Sequence, residues 1–75
     1  MTKAIEVPST NPRYPHVVVP LAGQDGNAQS ILGRTIRALR RAGVDRYEIA
    51  TLLAEATSGD YNDLLAVVMR WVDCT

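Results

Sequence analysis

Phenylalanine is absent from this sequence, histidine and cysteine occur once each, and no proline follows Pro20. A lone cysteine, Cys74, excludes both an internal disulfide and a zinc site built from cysteines, and it fits a reducing cytoplasm. Pro8, Pro12, Pro15 and Pro20 keep helix out of the start of the chain, whereas everything after them is free to be helical. No apolar run approaches the roughly 20 residues of a membrane-spanning helix, and no charged start leading into an apolar run marks a signal peptide. Excess charge of one sign is also missing. Eight basic residues face eight acidic ones, so the overall positive field of a strong nucleic-acid binder is absent.

What is present is a globular composition, with 47% of the 75 residues apolar and 21% charged. The length suits one domain. Residues 1–13 read as an N-terminal tail and 14–73 as a single small globular unit. A domain of this size buries only about 60% of the surface its unfolded chain exposes, so its stability is marginal. With neither disulfide nor metal to add to it, a partner protein or a second copy of the chain is the expected source of further stability.

The pattern predicts an α+β fold, mainly α, in the order β-α-α-α. One strand is expected at His16–Leu21, where Val17, Val19 and Leu21 alternate with His16, Val18 and Pro20. Pro20 donates no ladder hydrogen bond, which puts this strand at a sheet edge or near its own end. Its neighbour is either a short strand at Ile5–Val7 or the same strand of a second copy. After a loop capped by Asp25 or Asn27, helix one is expected over Ala28–Ala42, with Gly43 closing it. Ile31, Leu32, Thr35, Ile36 and Leu39 fall on one arc with several alanines. Asp45 and Glu48 predict a capping box for a second helix with Ile49, Leu52, Leu53 and Ala56 buried. Asp60 caps a third, whose apolar face is Tyr61, Leu64, Leu65, Val68, Trp71 and Val72.

The stretches GQDGNAQSILGRTIRALRRAGV and EATSGDYNDLLAVVMRWV resemble a group of small proteins of actinobacteria and of the phages that infect them. The shared elements are a strand entering a G-x-D-G-N-A turn, A-L-R-x-A-G-V, E-A-T-S-G-D-Y and a near-terminal W-V, together spanning Tyr14 to Val72. Gln29 and Asn62-Asp63 depart from that pattern, the latter removing a histidine. The resemblance implies a phage or actinobacterial origin but assigns no activity and no site residue.

Three features invite a functional reading. Arg34, Arg37 and Arg41 are spaced at threes and fours and form a ridge, with Arg40 beside it. Residues 28–43 hold four arginines and no acid, whereas residues 44–75 hold two arginines against six acids. Such a ridge binds phosphates or an acidic partner, or it is an ordinary solvated face paired with the acidic helices. The second feature is LRRAGVDRYEIATLL, which has the form of a helix-turn-helix with Arg46, Tyr47, Ala50 and Thr51 on its recognition surface. Leu39 where a small residue is usual, together with Glu48 and Glu55 near any phosphate, weakens it. The third is the glycine loop LAGQDGNAQ, which has the form of a phosphate-binding turn but lacks the glycine and lysine pattern of one and carries Asp25 there.

Catalysis finds no support, since His16 has no serine or cysteine beside it and Asp60 and Asp63 read as helix capping. No metal, cofactor or membrane is expected. Trp71 and Tyr61 belong to the core face. Met69 falls off that face and suits an exposed contact. Gly33, mid-helix on the polar arc, suggests another backbone approaching closely. The expectation is a non-enzymatic cytoplasmic protein, phage-encoded, acting through protein–protein contact. Its partner is a host or phage protein or a second copy, with Val17, Val18 and Val19 pairing across a homodimer. The alternative is a DNA-binding regulator using the arginine ridge and the first two helices.

Overall fold

The computed structural model describes residues 12–75. The order is β1 (Tyr14–Val19), α1 (Ala28–Arg41), α2 (Arg46–Ala56), α3 (Tyr61–Trp71) and β2 (Val72–Cys74). The fold is therefore α+β and mainly α, with a second strand at the C-terminal end. β1 and β2 form a two-stranded parallel sheet. Parallel neighbours need a crossover of a dozen or more residues, and here the three helices supply it.

β2 corrects the account of β1's neighbour. The strand finds its neighbour in its own chain, in register Val18↔Asp73 and Val19↔Cys74, with an irregularity between Tyr14 and Val18. Thr75 N–H donates to the Val19 carbonyl (3.1 Å), and Leu21 N–H to the Thr75 carbonyl (2.8 Å). A second strand at Ile5–Val7 falls outside the described residues. β1 itself lies two residues earlier than predicted, at Tyr14–Val19 instead of His16–Leu21. Pro20 interrupts nothing, because successive residues of a strand turn their backbone groups to opposite edges. Val19 and Leu21 face β2, so Pro20 faces away, where no donor is called for.

The caps follow from the side chains that precede each helix. Asn27 accepts the Gln29 N–H at 2.9 Å to start α1. Asp25 supports that turn by accepting from Asn27 N–H and from the Ser30 hydroxyl, both at 3.0 Å. These two bonds, the backbone one foremost, hold the Asp25 carboxyl below its usual range. Gly43 sits at φ +84° and closes α1. Its N–H bonds Arg40 and that of Val44 bonds Leu39, both at 3.0 Å, which is the paired closure that a left-handed residue permits. The box expected at Asp45–Glu48 is only half formed. Asp45 accepts from Tyr47 and Glu48 N–H, but the Glu48 side chain leaves the helix end to meet β1. The full reciprocal box is on α3, between Asp60 and Asp63.

The buried core joins Val17 and Val19 of β1, Ile31, Leu32 and Leu39 of α1, Ile49, Leu52 and Ala56 of α2, and Leu64, Val67, Val68, Trp71 and Val72. Thr35 is buried with them, its hydroxyl bonded to the Ile31 carbonyl at 2.8 Å. Three expectations fail here. Leu53 is 42% exposed and Tyr61 45% exposed, while Val67 takes the place given to Leu65, which is half-buried. Tyr61 instead reaches back across the fold, its hydroxyl donating to the Gly26 carbonyl at 2.7 Å. Among the described residues no helix is long and apolar enough to cross a membrane.

Candidate functional site

The two edges of β1 are built differently, and the difference locates the candidate site. On one side β2 pairs with the strand, and side chains around Tyr14 fasten it down. The Tyr14 hydroxyl donates to Glu48 Oε1 at 2.7 Å, and Arg13 Nη2 pairs with the same carboxylate at 2.9 Å. The Tyr14 ring stacks on Trp71 with centroids 5.9 Å apart, and the Arg13 guanidinium lies 4.6 Å over the Trp71 ring. Trp71 Nε1 in turn donates to Glu55 Oε1 at 3.0 Å. This cluster ties the start of β1 to α2 and α3 in one patch. The hydrogen bond to Glu48, with burial and the Glu48 charge behind it, pushes the Tyr14 hydroxyl pKa up.

On the other side β1 meets the flank of α1 with no strand between them among the described residues. Two shallow depressions run along this seam. One, of about 290 Å³, is lined by His16, Val17, Val18, Ala38, Arg41 and Ala42. The other, of about 240 Å³, is lined by Val18, Val19 and Pro20 with Arg34, Arg37, Ala38 and Arg41. Together they form an open groove to which β2 contributes nothing. Its floor is small because Ala38 stands where α1 approaches the strand. Its rim is cationic because Arg34, Arg37 and Arg41 recur at threes and fours on one flank of the helix.

Backbone parity completes the groove. The Val19 carbonyl points to β2, so the N–H and C=O of Val18 point to the opposite edge of the strand, where Val18 lines both depressions. The Val18 side chain is 51% exposed. Among the described residues the one salt bridge is Arg13–Glu48, so none of the groove arginines makes one, although Arg34 lies near enough to Asp25 for its charge to help lower that carboxyl's pKa. Arg34 Nη2 makes a long bond of 3.5 Å to the Asp25 carbonyl, and its Nη1 is buried without a hydrogen-bond partner. A buried guanidinium donor left unpaired is costly, more so than a neutral one.

The sequence-derived candidates divide accordingly. Arg34, Arg37 and Arg41 come together with Val17, Val18 and Val19, two features that stand apart in the sequence. Arg40 lines neither depression, being about 100° round the helix from Arg41. Met69 is 56% exposed on α3, away from the groove. His16 lines the groove unforeseen as a site residue. Only its place on the outward-facing register of the strand could have pointed to it. Gly33 has no backbone near it within the described residues. A Cβ there would meet only Arg37 Nη1, at an ordinary 3.7 Å.

Chemically, the groove offers cations and an unpaired strand edge. No carboxylate, serine or cysteine lines it beside His16. Among the described residues no three His, Cys, Asp or Glu side chains gather as a metal would require. The helix-turn-helix surface is a different one. Arg46, Tyr47, Ala50 and Thr51 are all exposed on α2, but α2 contributes no residue to the groove that holds the arginine row. No protein family, curated protein or solved structure matches the chain.

Proposed function

We infer that this chain is a non-enzymatic binding protein that acts in the cytoplasm by contact with another protein, through the groove between β1 and α1. The observation that carries the reading is the convergence of an unpaired strand edge with three arginines that have no ion-pair partner among the described residues. The groove is open and not an enclosed cavity, which favours a macromolecular surface over a substrate. A phage origin rests on the resemblance of the G-x-D-G-N-A and E-A-T-S-G-D-Y stretches alone.

A homodimer through β1 is a second reading, favoured by the exposure of Val18 on the unpaired edge. It meets an electrostatic objection. An antiparallel β1–β1 pair has its two-fold axis perpendicular to the sheet, so both α1 helices lie on the same face. The arginine rows of the two copies then confront each other across the seam, and like charges so placed oppose pairing. A different protein with acidic character is the better occupant. The DNA-binding alternative draws on the same row but divides its cations and its recognition helix between two surfaces.

The test is capture of partners by the tagged full chain from a bacterial host, beside the double variant Arg37→Glu, Arg41→Glu. The account expects a specific protein partner retained by the native chain and lost by the variant, with the variant's melting curve unchanged. Random duplex bound at low salt, with a dissociation constant on the order of 50 µM or tighter, would favour the DNA reading instead.

A further inference from the structure

We propose that the groove takes an extended, acidic segment of its partner, which adds to β1 as a third strand alongside Val18. The inference rests on the protein-binding reading above and specifies the occupant. Two demands on the groove are independent, and one ligand chemistry meets both. Val18 directs an N–H and a C=O to the open edge of β1, and a pair of that spacing is satisfied best by another backbone in extended conformation. The sugar–phosphate backbone of DNA offers acceptors but no donor for the Val18 carbonyl. The rim demands anions. Arg34, Arg37 and Arg41 line the groove with no salt bridge among the described residues, and since Arg34 already lies beside Asp25, Arg37 and Arg41 are the pair left for a ligand. Guanidinium groups match carboxylates in a planar two-bond geometry.

The geometry also fixes which side chains of the segment matter. In an added strand, alternate residues face opposite sides of the sheet. Those on the α1 side lie against Ala38 and under the arginine row, where aspartate or glutamate is expected at every second position. Those on the far side flank Val18, where an apolar residue covers its exposed side chain. Pro20 limits the pairing at one end, because it offers no N–H to the new strand. The recognised sequence is therefore a short alternation of acidic and β-branched residues, not an acidic run of any order.

The experiment is titration of the full chain with a peptide of about eight residues alternating glutamate and valine, followed by calorimetry at low salt. Saturable one-to-one binding is expected. Methylation of every second amide nitrogen, on the register that faces β1, should weaken it by about tenfold or more, because the ladder donors are removed and the charge is kept. The double variant Arg37→Gln, Arg41→Gln should weaken it by a similar factor, with most of the loss vanishing at high salt.

A peptide with lysine in place of glutamate should not bind. No saturable binding of the glutamate peptide at about millimolar concentration overturns the inference. Equal affinity of the methylated peptide overturns strand addition while leaving protein contact through the groove standing. Displacement of the peptide by random duplex at micromolar concentration overturns both.

Discussion

The two edges of β1 use the same six residues for opposite ends. Toward β2, the strand is paired at both its ends, at Tyr14 and at Val18–Val19. Val19 and Leu21 share bonds with Thr75, and the Tyr14–Glu48–Arg13 cluster clamps the strand onto Trp71. Toward the arginine flank of α1, the strand has no paired neighbour among the described residues, and Val18 is exposed beside cations that make no salt bridge there. In a domain this small, stability must come from somewhere specific, and the β2 side supplies it. The open edge is then free to be polar, shallow and complementary to something else. Natural sheets protect a free edge with charge, and an arginine row also deters pairing with a second copy of itself.

This division predicts that substitutions on the two sides separate stability from binding. The largest effect belongs to Trp71→Ala, which removes a buried ring along with its stacking and its bond to Glu55. A loss of about 3–5 kcal/mol is expected, enough to leave much of the chain unfolded in urea titration. A nearly native midpoint would break the claim that this side holds the fold together.

Next comes Glu48→Ala, which deprives both the Tyr14 hydroxyl and Arg13 of their acceptor. It should cost about 1–2 kcal/mol by thermal melting, without changing binding at the groove. The same contact gives a pH signature. The Tyr14 pKa is raised in the folded state above its ordinary value of 10.0, so its contribution is complete below that pH. It is lost as pH rises through the folded value. Urea titration between neutral pH and about 11 should show stability falling above pH 10 in the native chain and less so in Tyr14→Phe.

Smaller effects are expected from glycines. Gly33→Ala should stabilise by up to about 1 kcal/mol, since the added methyl meets only Arg37 at van der Waals distance and the helix interior favours alanine. Gly43→Ala should lose a similar amount, because its φ of +84° strains any L side chain. The smallest change in stability belongs to Arg37→Gln with Arg41→Gln, within about 0.5 kcal/mol of the native melt. A large loss there would mean that the arginine row is part of the fold and not of a docking surface.

The helices were legible because each carries its own punctuation: Asn27, Asp45 and Asp60 at the starts, Gly43 at the first stop, apolar residues at threes and fours. β2 was not. Val72 follows Val68 by four residues, so the spacing reads as one more turn of α3, and burial is the same in either conformation. Only the backbone, extended at φ −136° and ψ 165°, separates the two. Leu53 was misplaced because α2 is apolar over most of its circumference, which blurs the phase of its buried face.

The site was visible in parts but not as a whole. The arginine ridge and the Val17–Val19 strand each stood out by spacing. Their meeting depends on which flank of α1 packs on β1, and that is decided by the long-range fit of Ala38 and Leu39 to the strand. The charge balance that excluded an overall field hid a local one, four arginines on α1 offset by acids elsewhere in the chain.

Amide hydrogen exchange at Val18 and Val19, followed by NMR in the dilute full chain, tests the contrast between the edges most directly. The account predicts that Val19, turned to β2, is protected to nearly the global stability, while Val18 exchanges at close to the rate of an open amide. Addition of the glutamate–valine peptide should then slow Val18 and leave Val19 unchanged. Equal protection of the two amides in the free chain would contradict it, because the edge on which the groove depends would already be filled.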